Sequence, residues 1–439
     1  MSSGHFDRSS GSSSSADCEF LFEEASCRRA KVDRSTDDRC PWSRTLWDGY
    51  VNAKLRERSW YEYHHMPVDV FNKLHALLFK DTAEELDMRK RKGLNSTPMG
   101  SIDSRVMLAS TMRQLFGEKP KSMVDVFKIS PTSCRAGFKD IIARINTCSE
   151  LSPDLYNTDH SIATLQQRAF AFARRSFYPN HFRHAVGAID GLFIKTEQPT
   201  RQHVGNVRTY YSGHKRAFGL NMQGVCDAQC RFIGFACCTP GSTNDYVAFR
   251  HSFCYAHWPS LPEPFYYLGD CAYPLSPQCI TPYIGTSLPH DADAFNFYHS
   301  QLRITIERTF GIFVNVFSIF HTPLKFPIAT CCEVVEACVR LHNFRIDSGC
   351  QIVARKRSNA AVYREAYDRS SEAFDVLDDI RYTTDRPHPH DTAYGNYVRN
   401  AEIHSGIAPS NAVRGSGKRD VLTQALAMVG AARPAANSF

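Results

Sequence analysis

Three carboxylates stand where the surrounding residues make a carboxylate costly. Asp190 interrupts VGAIDGLFIKT, in which Val186, Ala188, Ile189, Leu192, Phe193 and Ile194 form the near-continuous apolar run of a strand covered on both faces. Asp270 ends the apolar stretch FYYLGD. Glu307 lies in FNFYHSQLRITIERTFGIFVNVFSIF, where Leu302, Ile306, Phe310, Phe313 and Phe317 recur at helical spacing. An ionised carboxylate in apolar company must be paired, hydrogen-bonded or bound to a metal. Converging carboxylates repel unless a cation lies between them, and oxygen-only donors favour Mg²⁺ or Mn²⁺. Two such ions roughly 3.5–4 Å apart activate a water or 3′-hydroxyl on one side and stabilise the leaving oxygen on the other, which suits a phosphodiester. Asp190 and Asp270 are therefore expected to converge on metal ions, and Glu307 stands as a third carboxylate, with Arg303 on its helix face.

The second carboxylate has two candidates. Asp245, in STNDYVAF, follows a Pro-Gly turn and precedes a helical stretch, so capping or polarising that helix is an adequate role for it. Asp270 ends a strand, where side chains of parallel neighbours converge. It precedes Glu307 by 37 positions, room enough for a connection and a helix. Topology favours Asp270, leaving Asp245 as a supporting group that orients a metal-bound water.

Positioning these groups requires a sheet. VGAIDGLFIKT, FGLNMQGVCD and CRFIGFACC read as three strands in meander order, followed by a capped helix, a fourth strand and later helices. That is an RNase H-like α/β layout with the fourth strand parallel to the first, about 4.8 Å away. Ahead of it, RVMLASTMRQLFG, KSMVDVFKIS and SCRAGFKDIIARI read as helices. The last follows Ser130-Pro131 and carries Phe138, Ile141, Ile142 and Ile145 on one face. A short helix, a tight turn and a longer helix make a helix-turn-helix, with Arg135 and Lys139 as DNA-facing candidates; an ordinary helical bundle fits the pattern equally well. The expected organisation is a disordered tail over 1–40, a helical DNA-binding region over 41–160, a catalytic domain over 161–347 and a polar tail with a short helix, Arg419–Gly430, over 348–439.

Composition constrains the rest. A chain of 439 residues, 43% hydrophobic, can bury a sizeable core, and a net charge of +7 is compatible with nucleic acid without establishing it. No stretch approaches the roughly 18 uninterrupted apolar residues of a membrane span. The N-terminus lacks the apolar run of a secretory signal, so an intracellular location is expected. The 16 cysteines sit largely in apolar company and read as small buried hydrophobes, and Cys226 and Cys230 have no second pair at zinc-finger spacing. Arg89–Lys92 reads as a nuclear-import or phosphate-contacting patch, or as a solvated loop.

VGAIDG, GSTNDYVAF, LGDCAYPL, NFYHSQLRITIERTFGIF and VVEACVRLHNF fall in the order found in the DDE-superfamily endonucleases of PIF/Harbinger transposases, and this chain resembles that family from about Phe182 to Asp347. The resemblance implies Mg²⁺-dependent DNA strand cleavage and transfer at transposon ends by Asp190, Asp270 and Glu307. It also implies a helix-turn-helix ahead of the catalytic domain and a Myb/SANT-like partner protein. Action on DNA places the protein in the nucleus, and a homo-oligomer is expected. Two positions depart from the pattern: Ala272 stands where the family usually has Gly, and Val314 where it often has Lys. Intact carboxylates favour an enzyme. Val314 favours the alternative, a domesticated or decayed transposase that binds DNA without cutting it.

Overall fold

The computed structural model describes residues 46–80, 102–151, 155, 161–252, 261–350 and 409–434. The Ser/Gly-rich start and Arg89–Lys92 lie outside the described residues. Seven helices lead into the sheet among the described residues: α1 (Trp47–Arg56), α2 (Trp60–His64), α3 (Val68–Leu78), α4 (Ser104–Leu115), α5 (Pro120–Phe127), α6 (Pro131–Thr147) and α7 (Ile162–Ala173). Their ends follow from local chemistry. Asp103 caps α4, its side chain accepting the Arg105 N–H at 2.8 Å. Helix α5 opens on Pro120 and stops at Lys128, whose φ of 54° breaks the helix. Two residues later the Ser130 hydroxyl accepts the Ser133 N–H at 3.1 Å, and Pro131 begins α6.

The sheet contains β1 (Ala185–Lys195), β2 (Tyr211–Ser212), β3 (Ala217–Cys226), β4 (Phe232–Pro240), β5 (Tyr266–Leu268) and β6 (Cys279–Ile280). Across it the order is β4-β3-β1-β5-β6, with the short β2 also on β3. Strand β3 runs antiparallel to both β1 and β4, whereas β5 is parallel to β1 and β6 parallel to β5. The four strands expected from the sequence are present within a few residues. Strands β2 and β6 were not expected, because two residues are too few to show a period of two.

Each face of the sheet has its own apolar layer. On one, Ala188, Met222, Cys226 and Phe232 pack with Leu302, Ile306 and Phe313 of α9 (His290–Val316) and Val335 of α10 (Ile328–Asp347). On the other, Ile189 and Val225 pack with Leu165 and Ala169 of α7 and Phe249 of α8 (Asp245–Arg250). The first layer continues into the helical region through Phe71, Met112, Phe127 and Ile141. Phe116 stacks on Phe317 with ring centres 5.7 Å apart, and buried Arg345 donates from Nε to the His65 carbonyl at 3.0 Å. Side-chain packing therefore crosses the boundary expected near residue 160.

Of the expected polar tail, residues 351–408 lie outside the described residues, and the helix beyond them packs on the rest of the protein. Helix α11 (Pro409–Met428) begins ten residues before the expected start and lies against β6. Leu426 is fully buried, Tyr283 Oη donates to Asp420 at 2.6 Å, and Tyr298 Oη donates to the Ala432 carbonyl at 2.9 Å. Cys226 and Cys230 are free thiols flanking the β3–β4 turn, and burial raises the pKa of each. Among the described residues no helix is long and apolar enough to cross a membrane.

Candidate active site

The parallel pairing of β1 with β5 runs through Ala188 and Leu268. Two residues further along each strand stand Asp190 and Asp270, which brings the two carboxylates together where β5 ends. Asp190 Oδ1 accepts the Gly191 N–H at 2.8 Å. Asp270 Oδ1 accepts the Ala272 N–H at 2.9 Å, closing the turn of GDCAYP. Ala272 is not among the residues with positive φ, so its Cβ is no backbone burden at a position where the family usually has Gly.

Helix α9 supplies the third wall. In the β1–β3 register Asp190 faces Gly224, where a Cβ would come within 2.9 Å of the Phe310 ring. The missing side chain lets α9 approach the sheet. Arg303 Nη1 then donates to Asp190 Oδ2 at 3.2 Å, and Arg303 Nη2 meets Glu307 Oε1 at 2.5 Å, one turn along the helix. Burial and the neighbouring Asp270 raise the Asp190 carboxyl above the usual carboxylate range, while Arg303 opposes them. Burial draws the Arg303 guanidinium down, but Asp190, Glu307 and Asp270 together outweigh it and hold the charge in place.

Asp245 approaches from the other side of the sheet. Of the two local roles open to it, the helix cap belongs to Asn244, whose side chain accepts the Val247 N–H at 2.8 Å, while Asp245 does lie in the first turn. A Cβ on Gly191 would collide with the Asp245 carboxylate, and side chains of successive strand residues point to opposite faces. Asp245 therefore lies on the face away from Asp190. Its Oδ1 accepts from Asn221 Nδ2 at 2.9 Å and Gln223 Nε2 at 3.2 Å, and Gln223 Oε1 accepts from Tyr273 Oη at 2.6 Å. The sequence reading missed Asn221, Gln223 and Tyr273. The available signal was the pair of amides at alternate positions of the otherwise apolar FGLNMQGVC.

The other expected residues lie elsewhere. Lys139 is exposed and Arg135 half-buried on α6, whose apolar face packs against α4 and α10, so neither adjoins the carboxylates. Val314 is half-buried against the core.

The donor set suits a hard divalent cation in part. Asp190 and Asp270 supply oxygen alone, and a cation between them would offset the repulsion that raises Asp190. Glu307 is engaged by Arg303, and among the described residues no three His, Cys, Asp or Glu side chains form a group able to hold a metal. The Glu307 side chain is 46% exposed.

Residues 189–343 match the family of DDE superfamily endonucleases. The chain is 28% identical over 193 residues to Protein ALP1-like of Arabidopsis thaliana, covering 40% of this chain and 45% of that protein. It is 23% identical over 173 residues to Putative nuclease HARBI1 of Mus musculus, covering 38% and 47%. The matched region thus spans less than half the length of either relative. No solved structure matches.

Proposed function

We propose that this protein is a metal-dependent DNA endonuclease of transposase type. It cuts and joins phosphodiesters at transposon ends with Asp190, Asp270 and Glu307. The observation that carries this reading is the closeness of Asp190, on β1, to Asp270, two residues past the end of the parallel strand β5, beneath a helix presenting Arg303 and Glu307. The strand order and directions support an RNase H-like domain, and the match of residues 189–343 to DDE superfamily endonucleases supports the chemistry. The mouse relative's name, a nuclease, agrees with it.

Bound Mg²⁺ or Mn²⁺ would supply Lewis acidity at the phosphoryl group and an activated water or 3′-hydroxyl. Asp190 and Asp270 would hold it, each carboxylate oriented by the N–H that its Oδ1 accepts, from Gly191 and Ala272 respectively. Arg303 fixes the outer oxygen of Asp190 and restrains Glu307. On the far face Asp245, tied by two amides, sets the position of β1 through Gly191. Helices α5 and α6 would act as a helix-turn-helix presenting Arg135 and Lys139 to DNA in the nucleus, with a Myb/SANT-like protein and a second copy of the chain as partners.

The test is cleavage of DNA carrying the source element's own ends, with Mg²⁺ or Mn²⁺ and with chelator. Asp190→Asn and Asp270→Ala should abolish cutting while the circular dichroism spectrum stays that of the parent. Parent-like cutting by either variant would remove that residue from the catalytic set. A second reading, a DNA-binding protein that does not cut, is favoured by Arg303 bridging Asp190 and Glu307, the place a metal would need. Binding of the same ends with no metal-dependent cleavage by the parent chain would select it.

A further inference from the structure

Helix α9 has a second functional flank. Arg308 follows Glu307 directly and is turned about 100° from it around the helix. Gln301, seven residues before Arg308, shares its side of the helix, and the Phe177 N–H donates to Gln301 Oε1 at 3.3 Å. This bond holds the segment leaving α7 beside α9. Phe170, in the last turn of α7, and Phe177, on that segment, are each 66% exposed, and the Arg174 guanidinium lies 5.9 Å from the Phe170 ring centre. Phe170 and Arg174 are four residues apart on the outward side of α7, whose inward side buries Leu165, Ala169 and Phe172.

Arg175, on the same segment, lies within electrostatic reach of Arg308. The two like charges repel, and burial with this repulsion draws the Arg308 guanidinium below its usual range. Among the described residues neither makes an ion pair with a carboxylate. Two half-buried arginines without a counter-charge are stabilised by an anion delivered from outside. The same surface offers exposed aromatic rings, whose use is stacking. Spaced guanidinium groups and exposed rings match one ligand chemistry, a phosphate backbone with unpaired bases. A duplex, its bases already stacked, would leave the rings idle.

We propose that Phe170, Arg174, Arg175, Phe177 and Arg308 form a platform for single-stranded DNA beside the flank of α9 that carries Arg308, about 100° around the helix from Glu307. The choice of DNA rests on the nuclease reading. The strand beside a cut would lie with bases on Phe170 and Phe177 and phosphates at Arg175 and Arg308.

The test uses the full chain in chelator, so that nothing is cut, and measures affinity for an oligo-dT strand and a duplex by fluorescence anisotropy. Phe170→Ala with Phe177→Ala should weaken oligo-dT binding by about 10-fold or more and duplex binding by less than about 2-fold. Phe170→Trp with Phe177→Trp should restore it, whereas the double Leu variant should not. Replacing Arg174, Arg175 and Arg308 by Gln should lower the salt slope for oligo-dT by about 2. The platform is wrong if the parent binds no oligo-dT, if the double Ala variant binds it as the parent does, or if strand and duplex lose affinity equally. It is also wrong if the Leu variant keeps full affinity, or if the substitutions only turn a dimer into a monomer. A chain that binds oligo-dT as expected yet never cuts would sink the nuclease reading alone.

Discussion

The carboxylate of Asp245 lies over the Cα of Gly191, on the face of β1 opposite to the one from which Asp190 projects. One strand thus carries the catalytic candidate on one side and is braced by a second carboxylate on the other. We predict that Asp245→Ala lowers cleavage by roughly 10–100-fold, the range typical of groups that act through a ligand, while Asp270→Ala eliminates it. Gly191→Ala should resemble Asp245→Ala, since the new methyl displaces the same carboxylate. Rates for the three variants on one substrate decide it; equal loss in Asp245→Ala and Asp270→Ala would make Asp245 a ligand.

Arg303 bridges two carboxylates, Asp190 and Glu307. Arg303→Met should lower thermal stability, because partly buried Asp190 is left beside Asp270 without its cation, at a cost on the order of 3–5 kcal/mol. Added Mg²⁺ should then raise the melting temperature of Arg303→Met more than that of the parent. An identical Mg²⁺ response in both proteins would dissociate Arg303 from the metal site.

Two fully buried histidines set an acid limit. His299 donates from Nε2 to the Ile280 carbonyl at 3.0 Å, and His342 to the Cys230 carbonyl at 2.8 Å. Burial brings each pKa from 6.5 down to about 4. The folded state thus holds them neutral where the unfolded chain takes up protons. Their contribution is complete above about pH 6.5 and is lost as the pH falls toward 4, about 3 kcal/mol for each. Urea titrations at intervals between pH 7 and 4.5 should show this loss, and His342→Gln should flatten it; parallel curves for the two proteins would contradict the assignment.

The C-terminal helix is part of the fold. Leu426→Ala should destabilise the protein by about 2–5 kcal/mol, read as a lowered melting temperature, because its side chain is fully buried. A change under about 0.5 kcal/mol, the size of a surface substitution, would return this helix to the status of a tail.

Exposed Lys139 and half-buried Arg135 occupy successive turns of α6. Neutralising both should weaken duplex binding and flatten its salt dependence by up to about one unit of slope for each phosphate no longer bound. An unchanged slope would leave α6 as a structural helix of the bundle.

Much of this was legible in the sequence. The strands around Asp190, the meander after it and the helix carrying Glu307 all announce themselves through apolar periodicity, which burial on a sheet or helix face imposes directly. The costly carboxylates were visible for the same reason, as charge in apolar company. The helix start at Pro131 was equally local, fixed by φ and by a serine cap. Only the tertiary structure decided what depends on distance across the chain. The face of β1 that Asp245 meets is set by the packing of α8. The engagement of Glu307 by Arg303 depends on how closely α9 settles over Gly224. The docking of α11 and the opposition of Arg175 and Arg308 join residues more than 100 positions apart. Periodicity reports which side of an element is buried, but not which partner buries it, because that choice is made by the closure of the whole core.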